Sequence, residues 1–249
     1  MPYTFPTATL PVKRNSVRSN NNKIIQELVS LAGISVKPDG VFGPATEIAV
    51  KEFQTKRRLP STGVVDQKTF DALVAPFKRA TAVLPATGRT LLQLVIAYAR
   101  QHLAEHPLEV GGQNRGPWVR LYMDGNEGEE WAWCAGFACF VLKQACDTLG
   151  MALPVKKSFD CDVLVAAAKT ANRFLPESKA AQRKGDLAGA FFVVRHTPTD
   201  WNHIGIVTLA EPEIIRTIEG NTNDGGDREG FEVCARIRNY KAKDFILPG

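Results

Sequence analysis

The stretch Asp39-Gly-Val-Phe-Gly-Pro-Ala-Thr-Glu-Ile-Ala49 is repeated 23 residues later as Thr62-Gly-Val-Val-Asp-Gln-Lys-Thr-Phe-Asp-Ala72. Each copy begins with a glycine turn and continues with a helix-start signal, which is Pro44 in the first copy and Asp66 in the second. The repeat therefore predicts two similar units in which a turn leads into a short helix.

The apolar residues around this repeat recur at helical spacing, so three short helices can share one core. They are Ile24, Leu28 and Leu31, then Ala45, Ala49 and Phe53, then Phe70 and Leu73. The pattern predicts a three-helix domain over residues 21–75, preceded by a flexible N-terminal tail at residues 1–20. Residues 76–90 mix Pro, Gly, Thr and Ala without periodicity, which is typical of a linker between domains.

Residues 91–249 form the second predicted domain, in which helices come first and strands follow. One helix is predicted from Leu91 to His106, and a second long helix begins after Trp133. Short β-rich runs then alternate with turns, at Phe191 to Arg195, His203 to Thr208, Ile214 to Glu219, Phe231 to Arg238 and Asp244 to Leu247. The chain as a whole is therefore predicted to be α+β, with a helical module followed by helices and an antiparallel sheet.

Charge is unevenly distributed along the chain. Residues 1–90 contain 13 Lys and Arg against 6 Asp and Glu, whereas residues 91–249 contain 18 against 20. A cationic segment attracts polyanions, among them nucleic acid, anionic lipid and the anionic polymers of bacterial envelopes, and charge alone does not choose among them. The first twenty residues contain no apolar run typical of a signal sequence, and no later apolar stretch is long enough to span a bilayer. We therefore expect synthesis in the cytoplasm without a signal peptide and no stable membrane insertion.

The five cysteines do not follow the pattern of a disulfide scaffold or a structural zinc site, because their number is odd and none belongs to a Cys-x-x-Cys pair. Cys139 and Cys146 lie seven residues apart on one face of the predicted helix, roughly 10 Å from each other, which is too far to bridge. These two cysteines are interpreted as core thiols. No cofactor and no metal are expected.

Cys134 is the cysteine whose context suggests chemistry. It lies in Glu130-Trp-Ala-Trp-Cys-Ala-Gly-Phe at the predicted start of a helix, where unpaired backbone N–H groups and the helix dipole stabilise a thiolate. The same N–H groups can hold the oxyanion of a tetrahedral intermediate. The helix start therefore supplies a candidate nucleophile together with its oxyanion donors.

A candidate base and two candidate orienting groups follow in the predicted strands. His203 heads a β-rich run in which Gly205 leaves space beside the imidazole. Glu219 and Asn221 end the next strand two residues apart, so either can face the imidazole. A carboxylate would fix the tautomer of the ring and raise its basicity, so Glu219 is preferred, while loop capping is the non-catalytic interpretation of both residues. The predicted catalytic set is Cys134, His203 and Glu219 or Asn221.

Two parts of the chain resemble known families. The segment Asp39–Gln54 is similar to the three-helix peptidoglycan-binding module that accompanies many wall hydrolases. The motifs Trp133-Cys-Ala-Gly-Phe, His203-Ile-Gly-Ile-Val and Ile218-Glu-Gly-Asn-Thr-Asn resemble the CHAP domain, a branch of the papain-like and NlpC-like cysteine hydrolases. The preceding Asn114-Arg-Gly-Pro also resembles the approach loop of that family.

The resemblance implies a papain-like domain in which the helix that carries Cys134 packs on an antiparallel sheet. It implies cleavage of a peptidoglycan amide, either the bond between muramic acid and L-alanine or a bond within the stem or cross-bridge peptides. The expected partner is then bacterial peptidoglycan and not nucleic acid, the protein is expected to be a monomer, and an immunity or delivery protein stays open as a further partner. The protein would act in the periplasm or cell wall after release or secretion, as a phage endolysin or a delivered lytic effector.

Other interpretations remain open. His102-Leu-Ala-Glu-His106 matches the H-x-x-E-H zinc-peptidase motif, in which two histidines one turn apart bind zinc on one helix face. Against it, Pro107 follows at once and no third ligand is apparent. The chain could also be a catalytically inactive wall-binding protein. Transfer of the acyl group to an amine is a variant of the same cysteine mechanism.

Overall fold

In the computed structural model, which describes residues 5–223 and 230–249, the chain forms two compact units. One unit comprises the residues up to Arg79 together with Leu108–Gly128, and the other comprises Ala80–Pro107 together with Glu129–Gly249. The first unit is helical and the second contains helices and an antiparallel sheet, so the predicted α+β fold class is confirmed.

The described residues of the N-terminal unit form helices α1 (Asn20–Leu31), α2 (Pro44–Lys56), α3 (Gln67–Ala80) and α5 (Pro117–Tyr122). The starts of α1, α2 and α3 each carry a local helix-start signal. The Ser19 hydroxyl accepts a hydrogen bond from the N–H of Asn22, and Pro44 occupies the first turn of α2. The Asp66 carboxylate accepts from the N–H of Thr69 at 2.8 Å. The two helix-start signals in the repeat therefore act as predicted.

The core of this unit is formed by apolar side chains from its helices and turns, including Leu28, Phe42, Phe53, Leu73 and Phe77. Two predicted core positions are wrong by one residue. Ile25 is buried instead of Ile24 in α1, and Thr46 is buried instead of Ala45 in α2. Thr46 is buried because its hydroxyl accepts a hydrogen bond from the Gln26 side chain at 3.1 Å, and apolar periodicity does not reveal such a polar contact.

Two buried glutamines make equivalent hydrogen bonds to the two copies of the repeat. Gln26 in α1 accepts from the backbone N–H of Gly40 at 2.8 Å and donates to the threonine hydroxyl in the first turn of α2. Gln54 in α2 accepts from the N–H of Gly63 at 2.9 Å and donates to the equivalent threonine at the start of α3. Both glycines have positive φ, which side chains rarely adopt. Each glutamine therefore fixes the glycine turn that leads into the following helix.

The second unit contains α4 (Leu91–Leu103), α6 (Cys134–Leu149), α7 (Cys161–Thr170), α8 (Glu177–Ala180) and a 3-10 helix at Ala181–Asp186. Its strands are β1 (Phe174–Leu175), β2 (Phe191–Thr197), β3 (Asp200–Ala210), β4 (Ile214–Thr222), β5 (Glu232–Asn239) and β6 (Lys243–Ile246). They form one antiparallel sheet in the order β1-β6-β2-β3-β4-β5. The five predicted β-rich runs correspond to β2 through β6, whereas β1 and α7 were not predicted.

Helix α6 packs against β3 and β4 in the sheet. The close approach depends on Gly220 in β4, where an added Cβ would lie 2.7 Å from the Cβ of Phe137 and 2.9 Å from the ring of Trp133. Both aromatic side chains belong to the start of α6 and are fully buried. The first turn of α6, which contains Cys134, is therefore held directly against the sheet.

Two segments lie in a different unit from the one that the sequence indicated. Helix α3 continues into the predicted linker because Phe77 is buried and stacks on Trp118, with ring centroids 3.9 Å apart. The segment Leu108–Gly128, placed in the second domain by sequence, belongs to the N-terminal unit. There Arg120 Nη2 donates to Glu27 Oε2 at 2.5 Å, an ion pair with no local sequence signal.

The segment before α1 also differs from the predicted flexible tail. Val12 is buried and forms a two-way backbone bridge with Val65, in which the N–H to O distances are 3.1 and 2.8 Å. The Thr9 N–H donates to the Asn21 side chain at 2.7 Å. Residues 5–19 are therefore attached to the helical unit, while residues 1–4 of the predicted tail lie outside the described residues.

Candidate active site

Three predicted site residues meet at the start of α6. Cys134 is the first residue of α6, His203 lies in β3, and Glu219 lies in the neighbouring strand β4. His203 Nε2 and Glu219 Oε2 are 2.8 Å apart, and the Cys134 thiol interacts with the same imidazole. Cys134 and His203 are each 5% exposed and Glu219 is fully buried. Because little water reaches the site, the electrostatic interactions within it are strengthened.

The two ring nitrogens of His203 have different surroundings. Nε2 faces the Glu219 carboxylate. Nδ1 is buried and has no hydrogen-bond partner of ordinary geometry among the residues that the structure describes. Since Nε2 is occupied, Nδ1 is the nitrogen that can exchange a proton with the Cys134 sulfur. Hydrogen bonds between catalytic groups are often long or poorly aligned in structures without substrate.

The pKa of the Cys134 thiol is lowered well below its ordinary value. A hydrogen bond from the Cys161 thiol contributes most, burial opposes it, and the hydrogen bond and charge of His203 lower the pKa further. The backbone N–H of Ile204 also donates to the sulfur. The same contact and burial raise the pKa of Cys161, so of the two thiols Cys134 is the one more readily deprotonated.

The pKa values of His203 and Glu219 are also shifted. Burial acts to lower the pKa of His203, but the hydrogen bonds of Cys134 and Glu219 outweigh it and raise that pKa to about 9. Burial acts to raise the pKa of Glu219, but the hydrogen bonds of Arg238 and His203 outweigh it and lower that pKa to about 2. These shifts favour the charged forms of all three groups, namely a thiolate, an imidazolium and a carboxylate, and such a set can activate a cysteine as a nucleophile.

Gly205 has a role different from the one predicted. An added Cβ at this position would lie 2.6 Å from Glu219 Cγ and 2.6 Å from Cε1 of Phe192. The space next to the imidazole is thus filled by the orienting carboxylate and an aromatic ring. Glycine at residue 205 allows Glu219 to reach His203.

Of the two candidate orienting residues, only Glu219 hydrogen-bonds His203 in the described part of the chain. Asn221 is also fully buried, but it lies within a register shift between β4 and β5 and has a positive φ of 52°. A bulge of this kind breaks the simple alternation that would have placed both side chains on one face. The contact with His203 therefore favours Glu219 as the orienting residue, and the catalytic role of both residues stays a prediction.

The arrangement expected for a zinc site at His102 and His106 is wrong, because α4 ends at Leu103 and the two histidines do not share a helix face. His102 is buried, and its Nε2 is 2.8 Å from Gln144 Oε1. His106 has a positive φ of 46°, and its Nε2 is 2.6 Å from Glu232 Oε2.

Two residues that contact the candidate site were not singled out from sequence. Cys161 begins α7, whose N-cap Asp160 accepts from the N–H of Val163, and recognition of this cap would have revealed a second cysteine at a helix start. Arg238 in β5 binds Glu219, and it appears in the sequence only as one of several basic residues in a β-rich run. Both contacts join residues that are distant in sequence.

The N-terminal unit contains a cavity of about 500 Å³ between the start of α1 and the turn before α2. Arg18 and Lys23 contribute positive charge to its lining, and Asp39 contributes the opposing carboxylate. A second cavity, of about 320 Å³, lies at the start of α3. Both cavities are lined by residues of the repeat region and its flanks.

Residues 18–73 match the family model of the peptidoglycan binding domain. The match supports a peptidoglycan-binding domain within the N-terminal unit, and with it an association with the cell wall and peptidoglycan as a partner. The family model does not extend into the second unit. No curated protein and no solved structure matches the chain. Among the described residues, no helix combines the length and the apolar character needed to cross a membrane.

Proposed function

We propose that the second unit is a cysteine hydrolase that cleaves an amide bond of peptidoglycan, either the N-acetylmuramoyl-L-alanine bond or a bond in the stem or cross-bridge peptides. The observation that carries this proposal is the 2.8 Å contact between His203 Nε2 and Glu219 Oε2, together with the interaction of the same buried imidazole with the Cys134 thiol at the start of α6. The resemblance of the surrounding motifs to the CHAP domain supports the same chemistry.

In the proposed reaction, the Cys134 thiolate attacks the amide carbonyl carbon and forms a tetrahedral intermediate. The His203 imidazolium then donates its proton to the leaving amine, which departs and leaves a thioester on the sulfur. Neutral His203 next takes a proton from a water molecule, whose oxygen attacks the thioester carbonyl carbon. The C–S bond then breaks, which releases the carboxylic acid product and restores the Cys134 thiolate and the His203 imidazolium. Glu219 holds the ring in one orientation and stabilises the imidazolium throughout.

The start of α6 supports stabilisation of the oxyanion. Trp133 is the N-cap residue, and its side chain makes no capping hydrogen bond in the described structure. The N–H groups of the first helical turn have no carbonyl partner within the helix. Donors of this kind next to a nucleophile stabilise the negative charge that develops on the substrate oxygen.

The two units have complementary roles in this proposal. The peptidoglycan-binding domain holds the chain on the wall, which raises the concentration of cleavable bonds near the second unit. The protein would act in the periplasm or cell wall after release by a phage or delivery by a secretion system. Neither role requires a metal or cofactor.

The proposal is tested by lysis and binding assays on the full chain with Cys134→Ala. We expect loss of turbidity clearing of purified walls, while co-sedimentation with peptidoglycan is unchanged. Cys146→Ala is the matched control, because Cys146 is another buried thiol of α6. Unchanged lysis by Cys134→Ala, with a normal melting temperature, would refute the mechanism. Mass spectrometry of the released muropeptides identifies the cleaved bond.

A further inference from the structure

Arg238 makes a two-point contact with the buried carboxylate behind the imidazole. Its Nε donates to Glu219 Oε1 and its Nη2 donates to Glu219 Oε2, each at 2.6 Å. The Arg238 side chain is 18% exposed and that of Glu219 is 0% exposed. A planar guanidinium that meets both oxygens fixes the rotation of the carboxylate as well as its charge.

The position of Arg238 is itself restrained. Its backbone pairs with Ile215 in the β4–β5 ladder, and its guanidinium lies over the Phe192 ring at 5.6 Å from the centroid. The same ring packs beside His203, with ring centroids 6.1 Å apart. The guanidinium, the carboxylate and the imidazole are therefore ordered against one aromatic surface.

The charged groups that act on Glu219 come from several strands. His203 approaches from β3 and Arg238 from β5, while Lys243 of β6 interacts electrostatically with both Arg238 and Glu219. Cys134 of α6 acts on the carboxylate through the imidazole. Of these groups, Arg238 is the only one that binds both carboxylate oxygens in the described structure.

We propose that Arg238 is a positioning residue of the site, which acts on Cys134 and His203 through Glu219. This inference rests on the proposed function. Arg238 keeps Glu219 ionised and directs Oε2 toward His203 Nε2, so that Nδ1 stays available to the sulfur. Without Arg238 the buried carboxylate loses its main counter-charge, takes up a proton more readily and no longer stabilises the imidazolium.

The test uses the rate of Cys134 alkylation by iodoacetamide in the full chain between pH 4 and 10, with the modified residue identified by mass spectrometry. This rate reports the thiolate directly and needs no wall substrate. In Arg238→Met we expect the acidic limb of the profile to move to higher pH by about one unit or more. Arg238→Lys, which keeps the charge but not the two-point contact, should give a smaller shift. Arg216→Met is the matched control, because this arginine of β4 pairs at the surface with Glu211.

A double variant separates action through Glu219 from a direct effect of charge. In a Glu219→Gln background, Arg238→Met should shift the profile by less than about 0.3 pH unit, because coupled residues are not additive. This double variant also removes both buried charges together, so it keeps the test available if Arg238→Met alone does not fold.

The outcomes distinguish this inference from the proposed function. Suppose that Cys134 of the wild type is alkylated at low pH and that folded Arg238→Met has the same alkylation profile. This result would overturn the role of Arg238 and leave the proposed function standing. An equal shift in the presence and absence of Glu219 would also overturn it, because Arg238 would then act directly. If the alkylation rate of wild-type Cys134 depends on pH as that of an ordinary thiol does, the proposal that Cys134 is an activated nucleophile is wrong, and the role of Arg238 falls with it.

Discussion

Replacement of Gly205 by alanine tests whether the orienting carboxylate really occupies the space beside the imidazole. The new Cβ would lie 2.6 Å from Glu219 Cγ and 2.6 Å from Phe192 Cε1, whereas an ordinary contact begins at 3.4 Å. The neighbours must therefore move by nearly 1 Å. The φ of Gly205 is not in the left-handed region, so the cost is steric and not conformational.

The magnitude follows from these contacts. Overpacking of a well-packed interior lowers the free energy of unfolding by about 1–3 kcal/mol. At about 2–4 °C per kcal/mol, the melting temperature of a chain of this size should fall by roughly 2–12 °C. A shift of Glu219 by nearly 1 Å also extends its 2.8 Å contact with His203 beyond hydrogen-bonding distance. The alkylation profile of Cys134 should then move toward that of an ordinary thiol.

The assay compares Gly205→Ala with Gly185→Ala by thermal melting and by alkylation against pH. Gly185 lies in the 3-10 helix, and an added Cβ there would meet no atom within 4 Å. The control should differ from the wild type by less than about 0.5 kcal/mol. If Gly205→Ala melts and reacts like Gly185→Ala, the packing of Glu219 against Gly205 is incorrect.

Three further predictions concern Cys161, Gln54 and Glu219. Cys161→Ala should raise the pH midpoint of Cys134 alkylation by about one unit through loss of a hydrogen bond, whereas Cys146→Ala should leave it unchanged, and equal midpoints would contradict this. Gln54→Leu should lower the unfolding free energy of the N-terminal unit by about 2–3 kcal/mol, measured by urea titration, because it leaves a buried glycine N–H without its acceptor; a loss below about 0.5 kcal/mol would contradict it. The lowered pKa of Glu219 means that its stabilising contribution is present above pH 4.5 and is lost as pH falls toward about 2, so urea unfolding should show an acid-dependent loss that Glu219→Gln lacks.

Local sequence signals were sufficient for the longer helices of the N-terminal unit, for α4 and α6 and for strands β2 to β6. Helix starts at Pro44 and Asp66, and the five β-rich runs, were predicted because caps, turns and side-chain periodicity depend on neighbouring residues. The short helix α5 and strand β1 escaped prediction, because six and two residues carry too little periodicity.

The members of the candidate site were recognisable in the sequence to different degrees. Cys134 and His203 were identifiable because one lies at a helix start and the other in a run of β-forming residues. The choice between Glu219 and Asn221 was not settled by alternation, since a bulge between β4 and β5 changes the strand register after residue 219. The 2.8 Å contact of Glu219 with His203 favours the carboxylate.

The sequence by itself determined the repeat, the α+β order and the candidate nucleophile, because each depends on residues within one or two turns or on a strand pattern. Only the tertiary structure showed that Leu108–Gly128 belongs with the helical unit, that Cys161 interacts with Cys134 and that Arg238 binds Glu219. These contacts join residues far apart in the chain, and their energy comes from buried charges and thiols that meet only after folding. Local sequence patterns do not indicate which sequence-distant residue a buried group will contact.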